Sequence, residues 1–483
     1  MTNKNIYPKA GFYKRAFCLL VFSVFAMLSN EAYAVTKKVK EGRPNIILIL
    51  ADDLGYNGLG CYGNDFVETP NIDKLCAQGM RFTAGYAAAP TCAPSRAAIM
   101  SGQYAPRTDV YRVKNHHAGK EEYMRYFMPE DALRLRLEKV TIAEALKAGG
   151  YATAMFGKWH LGYDPKNHPV NQGFDIAIES HGAHFNFKTT PKVDYPEGAY
   201  VGDFFTDKAL GFIDDQEKKE KPFFLYMPYF LIHGPYEAKQ EHLDYFKKKL
   251  PKSFPERYIY WSAMTKSLDE NVGRIMNRLE ELGIAENTLV IFASDNGGAP
   301  DKYPQNSFNQ PLRMYKGETF EGGIRVPYIF RWPEKIKAGT VCNEPIQGID
   351  LYPTCVDAAG LQPPKQYILD GLSLMSILTS DGSVRLNREA LYWYYPKCAG
   401  YNAKTDTWKD TWRNVIRTKD YKLIEYIEYN KVELYNLKED VSESNDLSTQ
   451  MPEKVKELKD QLEKWKESIK AAKPIPNVNR KSH

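Results

Sequence analysis

Asn45-Ile46-Ile47-Leu48-Ile49-Leu50-Ala51-Asp52-Asp53-Leu54-Gly55 is the stretch from which the fold is read. Six residues, mostly β-branched or leucine, run without a polar interruption and then stop at two acids and a glycine. A continuous apolar run of that length is a strand buried on both faces, and such strands belong to parallel sheets covered by helices. The acids then fall at the carboxyl end of the strand, where open α/β sheets place their ligands. Adjacent carboxylates repel, and a cation between them relieves the repulsion.

The same design recurs along the chain. Tyr151 to Phe156 reads as a strand and leads into Gly157-Lys158-Trp159-His160-Leu161-Gly162. Lys158 and His160 stand at i, i+2 and share a face if the segment is extended. Phe223 to Met227 is another buried strand, with His233-Gly234-Pro235-Tyr236 beyond it, a good place for a general acid. Leu289 to Ala293 is a further one and delivers Ser294-Asp295-Asn296-Gly297-Gly298, whose oxygens suit a hard divalent cation. Amphipathic helices are expected over Asn71–Gly79, with Asn71 as N-cap, and over Val140–Ala148, Asp203–Asp214 and Ser262–Leu282.

Pro90-Thr91-Cys92-Ala93-Pro94-Ser95-Arg96 is followed by Ala-Ala-Ile-Met-Ser-Gly. Pro94 suits the first turn of a helix. Cys92 therefore lies at or just before a helix N-terminus, where free N–H groups and the dipole favour negative charge. Arg96 adds a fixed cation suited to an oxyanion.

The Cys-x-Pro-Ser-Arg pattern resembles the signature of type I, formylglycine-dependent sulfatases. So do Gly-Lys-Trp-His-Leu-Gly, the Asp-Asn-Gly-Gly turn, the Gly58-Leu59-Gly60-Cys61-Tyr62-Gly63 loop and the segment from Lys316 to Pro327. The likeness spans roughly residues 44 to 440, with the motifs in the family's order. It implies an alkaline-phosphatase-like α/β/α sandwich with a smaller C-terminal sheet-and-helix subdomain. By the resemblance, Asp52, Asp53, Asp295 and Asn296 would bind Ca²⁺. Cys92, oxidised to formylglycine by a maturation enzyme, would share the ion and act as nucleophile, steadied by Arg96. Lys158 and Lys316 would hold sulfate oxygens. His160 would assist breakdown of the sulfated intermediate, and His233 would protonate the leaving alcohol. Glu321-Gly322-Gly323 and Arg325 are read as structural.

The short Gly-Cys-Tyr-Gly loop and the overall length resemble those of the arylsulfatase A and galactosamine-sulfate sulfatases. That likeness implies an exo-acting enzyme on sulfated galactose or N-acetylgalactosamine of glycosaminoglycan, mucin or algal galactan. Arg112, His116, His117, Asp175, His181 and His184 are polar residues in loops beside the motifs, and are candidates to line the sugar pocket. Two other readings share these features: a formylglycine-dependent phosphonate or phosphodiester hydrolase, and a non-catalytic binder of sulfated glycans. The lysine pair with His160 favours sulfate.

Composition bounds the rest. A chain of 483 residues with 43% hydrophobic content holds a large catalytic domain and a smaller companion. We divide it into residues 1–34, 35–386 and 387–483. The first part reads as a secretory signal: Lys14-Arg15, an apolar run from Ala16 to Leu28, and Ala32-Tyr33-Ala34 as the cleavage pattern. This implies export to the periplasm or beyond, with no stable membrane insertion. The net charge of +5 owes four cations to this segment, so it argues for no nucleic-acid partner. Oligomeric state is not legible. Without Cys18 and a modified Cys92, five cysteines remain, which forbids full internal pairing. Cys342 and Cys355 are the close candidate pair. Beyond Asn387, short alternating runs read as an antiparallel sheet, with a charged amphipathic helix over Met451–Lys470.

Overall fold

The computed structural model describes residues 1–2, 42–113, 120–300 and 308–481. In chain order its principal elements begin with β1 (Asn45–Ala51), α1 (Pro70–Ala77), β2 (Met80–Phe82), α2 (Cys92–Ser101), α3 (Ile142–Ala148), β3 (Ala152–Gly157), β4 (Ile176–Glu179) and α4 (Val201–Lys218). They continue with β5 (Phe223–Pro228), α5 (Gln240–Lys249), α6 (Glu256–Glu281), β6 (Thr288–Ser294), β7 (Tyr328–Arg331), β8 (Thr340–Cys342) and α7 (Leu351–Ala358). The last group is β9 (Leu391–Tyr395), β10 (Arg413–Arg417), β11 (Tyr421–Tyr426), β12 (Lys431–Asn436) and α8 (Pro452–Ser468).

Along β1, Ile46, Leu48 and Leu50 enter one apolar cluster, and Ile47, Ile49 and Ala51 enter another. All six are fully buried. Period-two alternation with both faces apolar demands a layer of helices on each side. α4 and α6 supply one layer, through Phe204, Phe205, Met264, Leu268 and Val272. α2, α3 and α7 supply the other, through Ala97, Ile99, Leu146, Leu351 and Val356.

The eight-stranded sheet runs β8-β2-β7-β6-β1-β5-β3-β4. β1 is parallel to β5 and to β6, and β3 is parallel to β5 and to β4. β7 is antiparallel to β6 and to β2. The architecture is thus the alkaline-phosphatase-like α/β/α sandwich. The parallel centre, β6-β1-β5-β3, aims four carboxyl ends at one edge.

A second sheet, β9-β10-β11-β12, is antiparallel. Leu458, Leu462 and Trp465 of α8 pack on Ile416, Leu423 and Leu434 of one face. Trp393, Val415 and Ile424 of the other face meet Tyr86, Phe320 and Ile324. At this junction Lys422 Nζ lies 3.0 Å from Glu321 and 2.8 Å from Glu443, all three side chains fully buried.

Several local expectations are adjusted. α1 starts at Pro70 after Thr69, and Asn71 does not cap it. Asn71 Nδ2 instead donates to Asp269 of α6 at 2.7 Å. α6 begins six residues before Ser262, because Tyr258 and Trp261 extend its apolar face. The six described cysteines are free thiols, so Cys342 and Cys355 are unpaired. Among the described residues, no helix is long and apolar enough to cross a membrane.

Candidate active site

Register builds the centre of the site. Ala51 of β1 lies opposite Ser294 of β6, so Asp52 and Asp295 leave the sheet side by side. Asp53 N–H donates to Asp295 Oδ1 at 3.3 Å, and Leu54 N–H to Ser294 Oγ at 3.1 Å. Asp53 holds a left-handed φ of 63°, which an aspartate tolerates better than most residues and which turns the chain sharply after the strand. On the β6 side, a Cβ at Gly297 would stand 1.9 Å from the Gly322 carbonyl oxygen. Only glycine allows the Glu321–Ile324 turn to seat against the Asp295-Asn296 turn.

α2 enters beneath these carboxylates. Thr91 is its extended N-cap residue, and Cys92 opens the helix, 1% exposed. Ala93, Ala97 and Ala98 let the helix approach closely, and Gly102 ends it at φ 66°. One turn in, Arg96 donates from Nε to Asp295 at 2.8 Å and from Nη1 to the Lys158 carbonyl at 2.5 Å. Its Nη2 lies 2.8 Å from Asp295 and 3.6 Å from Asp52.

Lys158 follows β3, with its N–H bonded to the Pro228 carbonyl and its Nζ 2.5 Å from Asp52. The segment is not extended, since His160 has φ 65°, yet Lys158 and His160 both face the same cavity. Lys316 N–H donates to the Gly298 carbonyl and Gly317 N–H to the Pro90 carbonyl. That clamps Lys316 between the β6 turn and the Cys92 loop, with Nζ 2.5 Å from Asp53. His233 Nε2 stands 3.8 Å from Asp53. Its Nδ1 donates to the Gly234 carbonyl at 2.6 Å, leaving Nε2 as the nitrogen turned to the site.

The electrostatics follow from burial. Burial alone would raise Asp52, but Lys158, His233 and Arg96 hold it far below the ordinary range. Asp295 is pushed up by burial and by the Asp52 charge beside it. Burial raises the Cys92 thiol, which is therefore no thiolate nucleophile as it stands. Burial, Lys158 and Arg96 push His160 well below its usual value, so its imidazole is neutral.

The oxygens fit a hard divalent cation. Single ligand atoms of Asp52, Cys92 and Asp295 lie within 4.8 Å of one another, as do those of Asp52, Asp53 and His233. Asp52 Oδ1 and Asn296 Oδ1 are buried and have no hydrogen-bond partner among the described residues. Buried polar atoms of that kind need a partner.

A cavity of about 550 Å³ opens over this cluster. Cys92, Lys158, His160, His233 and Lys316 line it, together with Arg112 and His181. A match to known proteins then decides the family: a sulfatase model covers residues 44–361. The chain belongs to the formylglycine-dependent sulfatase family. It is a sulfuric ester hydrolase. A second model, described as N-sulphoglucosamine sulphohydrolase, C-terminal, covers 314–468 of the sulfatase. An N-acetylgalactosamine-6-sulfatase of Sus scrofa is 34% identical over 78% of this chain and 74% of its own length. A protein named sulfatase from Formosa agariphila is 33% identical over 87% of each. The crystal structure of Ps i-CgsB superposes with a TM-score of 0.74 at 28% identity, over 88% of this chain and 92% of that one.

Not every expected pocket residue of the sulfatase reaches the cavity. Asp175 does not, because it precedes β4 and so lies at the strand's amino end, bonded to Thr153 and paired with Lys147. His184 is fully buried and donates from Nε2 to the His233 carbonyl at 2.8 Å, so it supports a site residue instead of lining the pocket. His116 and His117 lie outside the described residues. Tyr163, Tyr395 and Lys397 line the cavity and were not anticipated. Tyr163 shares a loop with His160, a local signal that was available. Tyr395 and Lys397 come from the second sheet, and nothing near them in sequence marks them.

Proposed function

We propose that the protein removes sulfate from a sulfated carbohydrate, with Cys92 converted to formylglycine and Ca²⁺ held by Asp52, Asp53, Asp295 and Asn296. One observation carries the reading: a buried cysteine at a helix start lines one cavity with Lys158 and Lys316, beside a cluster of buried carboxylates. The relationship to N-acetylgalactosamine-6-sulfatase supports sulfated galactose or N-acetylgalactosamine, at a chain end, as the favoured sugar.

The hydrated aldehyde supplies the hydroxyl nucleophile that a buried thiol lacks, and the cation supplies positive charge for the developing oxyanions. The chain's own residues do the remainder. Lys158 and Lys316 bind the peripheral sulfate oxygens and neutralise charge in the transition state. Arg96, locked by Asp295, holds the residue at position 92 in place. His233 presents Nε2 toward the site and delivers a proton to the leaving sugar oxygen. His160, neutral through burial, offers an unpartnered Nδ1 that takes up a proton near Cys92. The segment 1–34 would direct export, with cleavage near Ala34, and the formylglycine-generating enzyme would act on Cys92.

The test is release of free sulfate and free phosphate from sulfated saccharides, an aryl sulfate and phosphodiesters. The protein is co-produced with a maturation enzyme, and conversion is checked by intact mass. Sulfate from a sugar is the expected product. Phosphate without sulfate, or no product from fully converted protein, would overturn the reading.

A further inference from the structure

The cavity wall holds more positive charge than one sulfate ester requires. Its basic lining comprises Arg112, Lys158, Lys316 and Lys397 with His160, His181 and His233, and among the described residues it holds no aspartate or glutamate. The cations at the base pair with the acids of the central cluster: Lys158 with Asp52, Lys316 with Asp53 and Arg96 with Asp295. Arg112 and Lys397 stand apart from that set.

Each is held by a carboxylate behind it. Arg112 donates from Nε to Asp131 at 3.0 Å, and the Asp131 side chain is fully buried and also accepts from the Leu133 N–H at 2.9 Å. Among the described residues the terminal nitrogens of Arg112 have no partner. Lys397 Nζ lies 2.9 Å from Asp410, and its stem follows β9, which ends at Tyr395. The same Nζ is 3.7 Å from where a Cβ would stand on Gly317, the neighbour of Lys316. The Lys397 ammonium thus stands beside the Lys316–Gly317 turn, in the same cavity wall. A cation held in place by a backing carboxylate loses little side-chain freedom when an anion docks, which favours recognition. At about 550 Å³ the cavity has room for a sugar as well as its ester group.

We propose that Arg112 and Lys397 form a second anion subsite, so that the enzyme selects a saccharide bearing a second negative group near the ester it cleaves. The group is a carboxylate or a further sulfate, on the same sugar or the next. This rests on the sulfatase reading and deepens it: the substrate class is a polyanionic glycan, and a specificity determinant comes from the second sheet.

The experiment compares kcat/KM for matched esters with fully converted enzyme. The set is one sulfated monosaccharide, the same sugar carrying a second sulfate, and the same sugar linked to a uronate, with an aryl sulfate as a reference for turnover. The doubly charged forms are expected to be preferred at least about tenfold, the worth of one good charge-assisted contact. The arm that shows the preference tells sulfate from carboxylate. Arg112→Gln with Lys397→Gln should bring the ratio near one, Lys397→Glu should lower it further, and Lys397→Arg should restore it. The preference should also shrink with added salt. Aryl sulfate turnover with no preference among the saccharides would overturn the inference and leave the sulfatase reading standing. So would variants that lower all substrates equally. No turnover of any ester would overturn both.

Discussion

Arg96 and Asp295 form a fully buried ion pair at 2.8 Å, reached from α2 on one side and the end of β6 on the other. Asp52 lies 3.6 Å from the same guanidinium. The pair therefore joins the helix that carries Cys92 to the two strands that carry the acids. Removing the cation leaves the buried Asp295 carboxylate without its ion-pair partner and leaves Asp52 to Lys158 alone. Arg96→Leu should cost about 3–5 kcal/mol of stability. Denaturant unfolding checks this, and a loss below about 1 kcal/mol would show that the pair is not holding the site together.

A bound divalent ion would relieve the same carboxylates. Dialysis against a chelator should lower the melting temperature, and Ca²⁺ at a hundred times its dissociation constant should return about 2.7 kcal/mol. Asp295→Asn should shrink that return. An identical response in this variant would place the ion elsewhere.

His184 touches the site through the His233 carbonyl, to which its Nε2 donates at 2.8 Å. His184→Ala should lower kcat by roughly tenfold, the worth of about one hydrogen bond, while KM changes little. The loss should be larger for sugars than for aryl sulfates, whose leaving groups need less help from a proton. Equal losses on both would mean that His184 does not act through His233.

The Lys422 ammonium is buried between Glu321 and Glu443 and ties the second sheet to the turn that seats Gly297. Lys422→Met leaves two carboxylates facing each other. It should destabilise the protein by about 3–5 kcal/mol and weaken Ca²⁺ binding, through displacement of the turn beside Asn296. Calorimetric titration with Ca²⁺ reads the second effect, and unchanged affinity would confine Lys422 to stability.

Glu179 ends β4, and burial pushes its carboxyl up to about 7. The unfolded chain releases that proton near 4.5. Between those values the native state binds the extra proton, so the contribution of Glu179 to stability is fully present below about pH 4.5 and is lost as pH rises through about 7. Glu179→Gln should flatten melting temperature against pH across this window. A curve parallel to that of the unmodified protein would reject the assignment.

Much of this protein is local, and what is local was readable. The run from Asn45 to Leu50 declares a strand covered on both faces, and the acids after it declare the edge where ligands bind. Cys92, Lys158, His233 and Asp295 could be placed because each stands within a few residues of a strand end or a helix start, whereas Lys316 was named only through the family resemblance. The tertiary structure decided what depends on which end of a strand a residue occupies, or on which surfaces meet. Asp175 precedes β4 and so faces away from the site, while His181 follows β4 and lines it. His184 looked like a pocket residue, yet packing buries it against Phe230, under the His233 carbonyl. Lys397 comes to the Lys316–Gly317 turn from far along the chain, because one apolar face of the second sheet finds Phe320 and Ile324. Neighbouring residues encode a strand and its end through steric limits and solvation. A contact made by folding one sheet against another exists only once both have formed.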